Sequence, residues 1–567
     1  MKYSFLVILL FFLQNETFAQ WDKNETPTYT ELIELCRSFS KEHSEIQLFE
    51  MGISDYGLTI YLFVINGDKD SLSTFKKARD GTTILANNAI HPGEPDGINA
   101  MLLWTKEWIN KGKPTKGMPV LAFIPAYNVG GMMNRSGTSR ANQDGPAEYG
   151  FRGNANNLDL NRDFIKMDSK NAFVFAKIFH GLDPDVFIDN HVTNGADYQY
   201  VLTLISSLKE RLGPSMEEAT YGKMIPALKK QLKKREIDLI PYIDLVKETP
   251  DSGIVAFNDL PRYAMGYGSL FHAFSFTVET HMLKPFPERV QATKAFLEEM
   301  IQYTKENAEL IEKARREAKN YYQNEAYYFH HYEINSAKKD SLLFKGFEAK
   351  YKPSEVTGLS RLYYDRSSPY EKYVPHYNSH TAADSARIPK YYIVGGQAKE
   401  VIERLRANDV KMRRMTKDSM ITVTCQKIID FKNGTYPYEN HYLHGETKVE
   451  LLEKKYTLKP GDYLITAKQE KAFFIHSVLF PQAEDSYFSW NFFDSYMDEK
   501  EYFSPYVFED IAAKLLKEHP DWRKELEEKK ADEPEFAKNQ WAQLYYIYKK
   551  SPYFEPTYRI IPVYLVY

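Results

Sequence analysis

Residues 83–97 read Thr-Ile-Leu-Ala-Asn-Asn-Ala-Ile-His-Pro-Gly-Glu-Pro-Asp-Gly. A short apolar run bounded by turn formers predicts a buried strand over residues 83–90 that stops at His91. Pro92, Gly93 and Pro95 stiffen the turn that follows, and a helix is expected from residue 98. A chain built on this stretch must pair an apolar strand with others and cover both faces of the resulting sheet. The same stretch sets an imidazole, His91, and a carboxylate, Glu94, on one tight turn at the strand's carboxyl end. Open α/β sheets keep their sites at that edge, and two such groups can reach one metal ion.

The pair alone says little. The chain holds 14 histidines, and His330 and Glu333 repeat the same spacing. That second pair follows a long charged helix with no strand before it, so it reads as solvated surface. His441 and His444, in a Tyr-rich segment, are further decoys. Context is what favours His91 and Glu94.

Strands and helices alternate around that stretch. Strands are expected over 47–51, 58–65, 119–125, 186–189 and 274–279. Helices are expected from residue 30, over 98–109 and 172–180, and as one long amphipathic helix over 287–322. The alternation predicts an α/β fold, a mostly parallel or mixed sheet sandwiched by helices. Residues 130–159 form a Gly/Asn/Arg-rich segment with little periodicity, and loops of that length are uncommon unless they carry function.

At 567 residues the chain exceeds one ordinary core. Residues 20–323 are expected to form one domain and 324–567 a C-terminal α+β region. In the latter, 389–408 read as strand, turn and helix, 420–480 as β-rich with turns at Asn433-Gly434 and Pro460-Gly461, and 508–518 and 521–530 as charged helices. Lys2, the apolar run 5–13 and Thr17-Phe18-Ala19 predict a signal peptide over residues 1–19, hence an exported protein, periplasmic or secreted, beginning at Gln20. No later segment has the apolar length to cross a bilayer, so no membrane span is expected in the mature chain. The formal net charge is -4 with no basic patch, which argues against nucleic acid as a partner. Two distant cysteines, Cys36 and Cys425, make no disulfide framework and read as buried free thiols, a single bridge being the alternative.

A hydrolytic zinc site takes three protein ligands and leaves a position open. His191, at the end of the expected strand 185–191, is the third candidate. Judged alone it is more often an ordinary loop histidine. Glu279 ends the apolar stretch 274–279 and is the candidate general base, although a rim glutamate is the commoner reading of such a residue. Residues 151–164 add Arg152, Arg162 and several amides, a set suited to a carboxylate.

His-Pro-Gly-Glu at 91–94, Asn-Leu-Asp-Leu-Asn-Arg-Asp-Phe at 157–164, Asp-Asn-His at 189–191 and Val-Glu-Thr-His at 278–281 follow in that order. Over residues 25–320 this order resembles the zinc carboxypeptidases, the carboxypeptidase A-like family. The resemblance implies a carboxypeptidase-like fold and one Zn2+ ion held by His91, Glu94 and His191. It implies that Asp159 orients His91, that Arg152 polarises the scissile carbonyl and stabilises its oxyanion, and that Asn161 and Arg162 clamp a terminal carboxylate. Glu279 then matches the general base that takes a proton from water and hands it to the leaving amine. The family's mobile tyrosine is matched by Tyr263 or Tyr267, and spacing does not choose.

The function so implied is a zinc-dependent metallocarboxypeptidase acting on peptides with a free C-terminal carboxylate. A zinc amidohydrolase of cell-wall peptides or N-acyl amino acids would keep the same site. A catalytically silent peptide-binding relative is the non-enzyme alternative, and the intact Glu279 and three intact ligands argue against it. The chain departs from the family in two ways. No N-terminal prosegment is expected, and the C-terminal region is longer than the family's small β domain, with no motif to assign its role.

Overall fold

The structure is a computed structural model and describes residues 23–567. The expected signal peptide lies outside the described residues. Among them, no helix is long and apolar enough to cross a membrane.

An eight-stranded mixed sheet forms the centre of the first half. Its strands are β1 (Ile46–Ile53), β2 (Thr59–Ile65), β3 (Thr83–Asn87), β4 (Val120–Ile124), β5 (Val186–Thr193), β6 (Leu202–Ser206), β7 (Leu239–Pro241) and β8 (Phe274–His281), in the spatial order β1-β2-β4-β3-β5-β8-β6-β7. The four middle strands, β4, β3, β5 and β8, run parallel. Every residue of β3, β4 and β5 is buried, so both faces of the middle are covered, as parallel strands at the centre of such a sheet require.

The helices are α1 (Tyr29–Glu42), α2 (Ser71–Asp80), α3 (Asp96–Asn110), α4 (Lys170–Leu182), α5 (Ala264–Leu270), α6 (Phe286–Glu306) and α7 (Ala308–Asn324). Thr28 and Glu31 close a reciprocal cap on α1. α3 packs on α6, and α2 on α4.

The mixed α/β fold agrees with the expectation, and several boundaries do not. β3 ends at Asn87 rather than at residue 90, because Ala89 turns the chain with φ 56° and cannot stay extended. β5 and β8 run past His191 and Glu279, since their pairing continues through Val192↔Thr280 and Thr193↔His281. The single helix over 287–322 is two. Asn307, with φ −123°, breaks it, and its side-chain amide donates to the Tyr303 carbonyl, a local bond that competes with the helical ladder. The expected alternation passes over residues 190–273, which nonetheless supply β6 and β7 at one edge of the sheet.

Beyond α7 the chain forms a two-stranded sheet, Tyr327–Ile334 with His380–Arg387, and two long hairpins. One hairpin, Asp340–Pro353 with Ser360–Tyr377, pairs in parallel with Ile254–Val255, which precedes α5. The other, Ser419–Asn433 with His444–Leu458, lies at the edge of a six-stranded sheet. One continuous hydrophobic core runs from Tyr29 to Leu565, so the two halves are packed together as well as joined. Lys166, fully buried, pairs with Asp163 at 2.9 Å and Asp168 at 2.7 Å, and His441 Nε2 sits 2.7 Å from Asp168. His330 and Glu333 lie on a paired strand; Glu333 is exposed as expected, while His330 is buried, which corrects the surface reading for the histidine. Cys36 and Cys425 are both buried free thiols.

Candidate metal centre and substrate cleft

The turn after β3 closes when the Glu94 amide donates to the His91 carbonyl at 2.8 Å. That single bond puts the two side chains on one side of the loop. Asn128 holds the loop from behind, its Nδ2 donating to the carbonyls of Ile90 and Arg152. A Cβ on Gly93 would lie 2.1 Å from Arg140 Nε, so a glycine is what lets Arg140 come close. Arg140 Nη2 then pairs with Glu94 Oε1 at 2.8 Å.

β5 and β8 bring the other groups. Their parallel register sets Glu279 beside His191, and the two-residue period of a strand puts Asp189 on the same face as His191. His91, Glu94 and His191 are all buried, and their ligand atoms lie within 4.8 Å of one another. Among the described residues this is the one such group of His, Cys, Asp or Glu side chains.

Both imidazoles turn Nδ1 inward. His91 Nδ1 is 3.2 Å from Glu94 Oε1, and His191 Nδ1 is 2.9 Å from Glu94 Oε2. Both hold Nε2 against a carboxylate, His91 against Asp159 at 2.9 Å and His191 against Asp189 at 2.6 Å. An Nε2–H donating to a carboxylate leaves Nδ1 with its lone pair facing the centre, the tautomer a metal ligand needs.

Burial would raise the pKa of Glu94, but Arg140, His91 and His191 hold it well below the ordinary range. Burial would lower that of His191, but Asp189 and Glu94 push it well above its ordinary value. Without an ion the same carboxylates favour the protonated His191 ring, so a metal must displace the Nδ1 proton. Two shielded atoms lack hydrogen-bond partners here, His91 Nδ1 and Glu279 Oε2. Two imidazole nitrogens, one of them without a hydrogen-bond partner, and a carboxylate fit a divalent ion of the zinc type. Glu279 is partly open to the cleft, yet burial raises its pKa to about 7, with Glu94 and Asp189 adding to the rise and His191 and Arg152 opposing it.

The centre lies at the floor of a cleft of about 220 Å3 that also gathers Arg152, Asn161, Arg162, Tyr263 and Glu279. Arg152 donates from Nε to Asp159 at 2.9 Å, with Nη1 3.6 Å from Glu94. Asn161 Oδ1 accepts from the Ala264 amide, and its Nδ2 faces His191. The Arg162 guanidinium lies 4.7 Å from the centre of the Tyr263 ring. Three cavities are larger, about 600 Å3 beside His330 and His444, about 520 Å3 beside Glu107 and Glu298, and about 370 Å3 beside His376, the last sharing Ile205, Tyr242 and Phe257 with the cleft, and none gathers such a group.

No family model and no curated protein matches the chain. The solved structures it is similar to include metallo-carboxypeptidases. The metallo-carboxypeptidase of Burkholderia cenocepacia is 17% identical over 47% of this chain and 67% of its own, with a TM-score of 0.34. Carboxypeptidase A of Helicoverpa armigera is 16% identical over 53% and 75%, with a TM-score of 0.35. Bovine thrombin-activatable fibrinolysis inhibitor, solved with tick carboxypeptidase inhibitor, is 12% identical over 52% and 99%, also with a TM-score of 0.35.

The structure brings nine of the ten sequence-chosen residues to this place. The exception is Tyr267. It is buried in the core, its hydroxyl 2.6 Å from Asn408 Oδ1 and 3.0 Å from His180, while Tyr263 lines the cleft. The helical period explains the difference. Tyr267 lies inside α5, whose inner face packs on β5 and β8, and Tyr263 precedes its first turn. His441 and His444 stay out of the cleft, bonded to Asp168 and to Asn433 and Asp494.

Sequence reasoning missed Asp189 and Arg140. Asp189 had a signal, its alternation with His191 on one strand. Arg140 had none, because no spacing ties it to Glu94. Asp189 also accepts from Asn87 Nδ2 at 2.9 Å, so its carboxylate is fixed from two sides. Asp189→Asn is expected to weaken zinc binding about 10- to 100-fold, read by competition against a chromophoric chelator. An unchanged affinity would remove Asp189 from any part in the centre.

Proposed function

We propose that this protein is an exported zinc metallocarboxypeptidase that removes C-terminal residues from peptides. One observation carries the reading. A two-histidine, one-carboxylate centre shares its cleft with a raised-pKa carboxylate, Glu279, and with a guanidinium and an amide, Arg162 and Asn161. The export part rests on residues 1–19 alone.

His91, Glu94 and His191 would hold the ion, with Asp159 and Asp189 fixing the rings. When bound, the ion supplies a Lewis acid that polarises a carbonyl and acidifies water. The chain's own groups do the rest. Glu279, partly open to the cleft, takes the proton from the attacking water on its carboxylate and delivers it to the leaving amine nitrogen. Arg152 offers Nη hydrogens to the carbonyl oxygen as negative charge develops there. Arg162 and Asn161 hold the substrate's terminal carboxylate, so the bond within reach is the last one. Tyr263 covers that end of the cleft.

Incubating a mixed peptide pool with the purified chain, with and without a chelator, and following it by mass spectrometry tests the reading. Stepwise loss of C-terminal residues, abolished by chelation and restored by zinc, is the expected result. An untouched pool from zinc-loaded protein would refute it and point to cell-wall peptides and acylated amino acids instead.

A further inference from the structure

Arg162 does not face the cleft unaided. Its Nε donates to the Tyr438 hydroxyl at 2.9 Å, and its Nη1 donates to the Asn161 carbonyl at 2.8 Å. One face of the guanidinium rests on the Tyr263 ring. Nη1 also lies 3.8 Å from Asp159 Oδ2. An edge, a corner and a face of the planar fork are therefore fixed, which leaves Nη2 foremost to meet a carboxylate.

Tyr438 comes from the far half of the chain. It opens a two-residue turn, with the Tyr438 amide donating to the His441 carbonyl at 2.7 Å and the His441 amide donating back at 3.0 Å. Glu439 and Asn440 at its tip have φ 48° and 71°, both left-handed, as this mirror-image turn requires. Asparagine tolerates that region and glutamate does so at a cost, so the tip is held there by its contacts. Glu439 Oε2 accepts the Asp159 amide at 2.8 Å. The Tyr438 ring stacks on Trp490, with centroids 6.3 Å apart, and under the Arg262 guanidinium, which is itself paired with Asp485 at 2.8 Å. Tyr438 is thus a braced post, its position set by the packing of residues 438–490 against the cleft wall.

We propose that Tyr438 is a positioning residue that aims Arg162 at the terminal carboxylate of the substrate, so that the C-terminal region completes the substrate clamp. This rests on the reading of Arg162 as the carboxylate-binding group. Without the hydroxyl, Nε loses its acceptor and the fork can pivot on the Asn161 carbonyl.

The test uses the full, zinc-loaded chain. In a Glu279→Gln background, calorimetry compares an acetylated tetrapeptide bearing a free carboxylate with the same peptide as its C-terminal amide. Tyr438→Phe is expected to weaken the free-carboxylate peptide about tenfold and leave the amide unchanged, with an unaltered melting temperature. With Glu279 intact, KM for the free-carboxylate peptide rises by a similar factor and kcat stays within about twofold. Tyr436→Phe, in the same loop with its ring 72% exposed, changes neither. Equal weakening of both peptides, no weakening of either, or a lowered melting temperature would overturn the proposal. Release of C-terminal residues by the intact chain with an unchanged KM in Tyr438→Phe would sink the positioning role alone. A free-carboxylate preference lost in Tyr438→Phe, from a chain that cuts no peptide, would uphold the role and sink the proposed activity.

Discussion

Glu279→Gln is expected to abolish peptide turnover, by roughly 100- to 10,000-fold in kcat, while the protein keeps its zinc. The amide has nearly the shape of the carboxylate and cannot act as a base toward the attacking water. Metal content of the variant, measured beside its activity, separates loss of the base from loss of the ion. Retained activity would remove Glu279 from the reaction, and lost metal would make it a ligand.

The same substitution has a pH signature in chelated protein. Burial raises the Glu279 pKa from its ordinary value to about 7. A carboxyl raised in this way contributes stability that is complete below about 4.5 and is lost as the pH climbs through 7. Wild-type protein should therefore lose stability relative to Glu279→Gln between pH 5 and pH 8, by at most about 3 kcal/mol. Melting curves of the chelated pair across that window read it out, and parallel curves would show that the carboxyl titrates normally.

The largest stability effect is expected at Arg289. Its side chain is completely buried at the start of α6 and pairs from Nε with Asp96 Oδ1 at 2.9 Å. Three of its four remaining hydrogens go to the carbonyls of Asp144 and Lys284 from Nη1 and of Gly145 from Nη2. Asp96 is 1% exposed and accepts one further bond, from Thr280 Oγ1. Arg289→Met keeps the stem and removes the charge, leaving a carboxylate and three carbonyls without their donor. Removing one partner of a buried pair costs about 3–5 kcal/mol. Because Asp96 begins α3 two residues after Glu94, zinc affinity should fall as well. Lysine at 289 should recover only part, since one ammonium cannot span partners that a fork reaches together. Urea unfolding checks the first claim, and a loss below about 1 kcal/mol would show that water reaches Asp96 and replaces the guanidinium.

The legible part of this protein was its short-range part. Pro92 and Gly93 between His91 and Glu94 encode a turn, and one backbone bond between those two residues is enough to aim both side chains. The largely apolar stretches 83–90, 119–125 and 186–189 point to buried parallel strands, and β3, β4 and β5 form there with every residue buried. The stretch 199–245 offered no comparable signal. Its strands β6 and β7 are short and join at an edge, where β8, an antiparallel neighbour for β6, decides their place.

What only the tertiary structure decided is which distant groups meet. Tyr263 and Tyr267 look equivalent in sequence, and one turn of helix sends the first to the cleft and the second to Asn408. Arg162 and Tyr438 lie 276 residues apart, and the contact exists because a braced hairpin tip lands on the cleft wall. A turn writes its geometry into adjacent residues through the stiffness of the backbone. A contact across the fold depends on the sum of every packing choice between its partners, and no local pattern carries that sum.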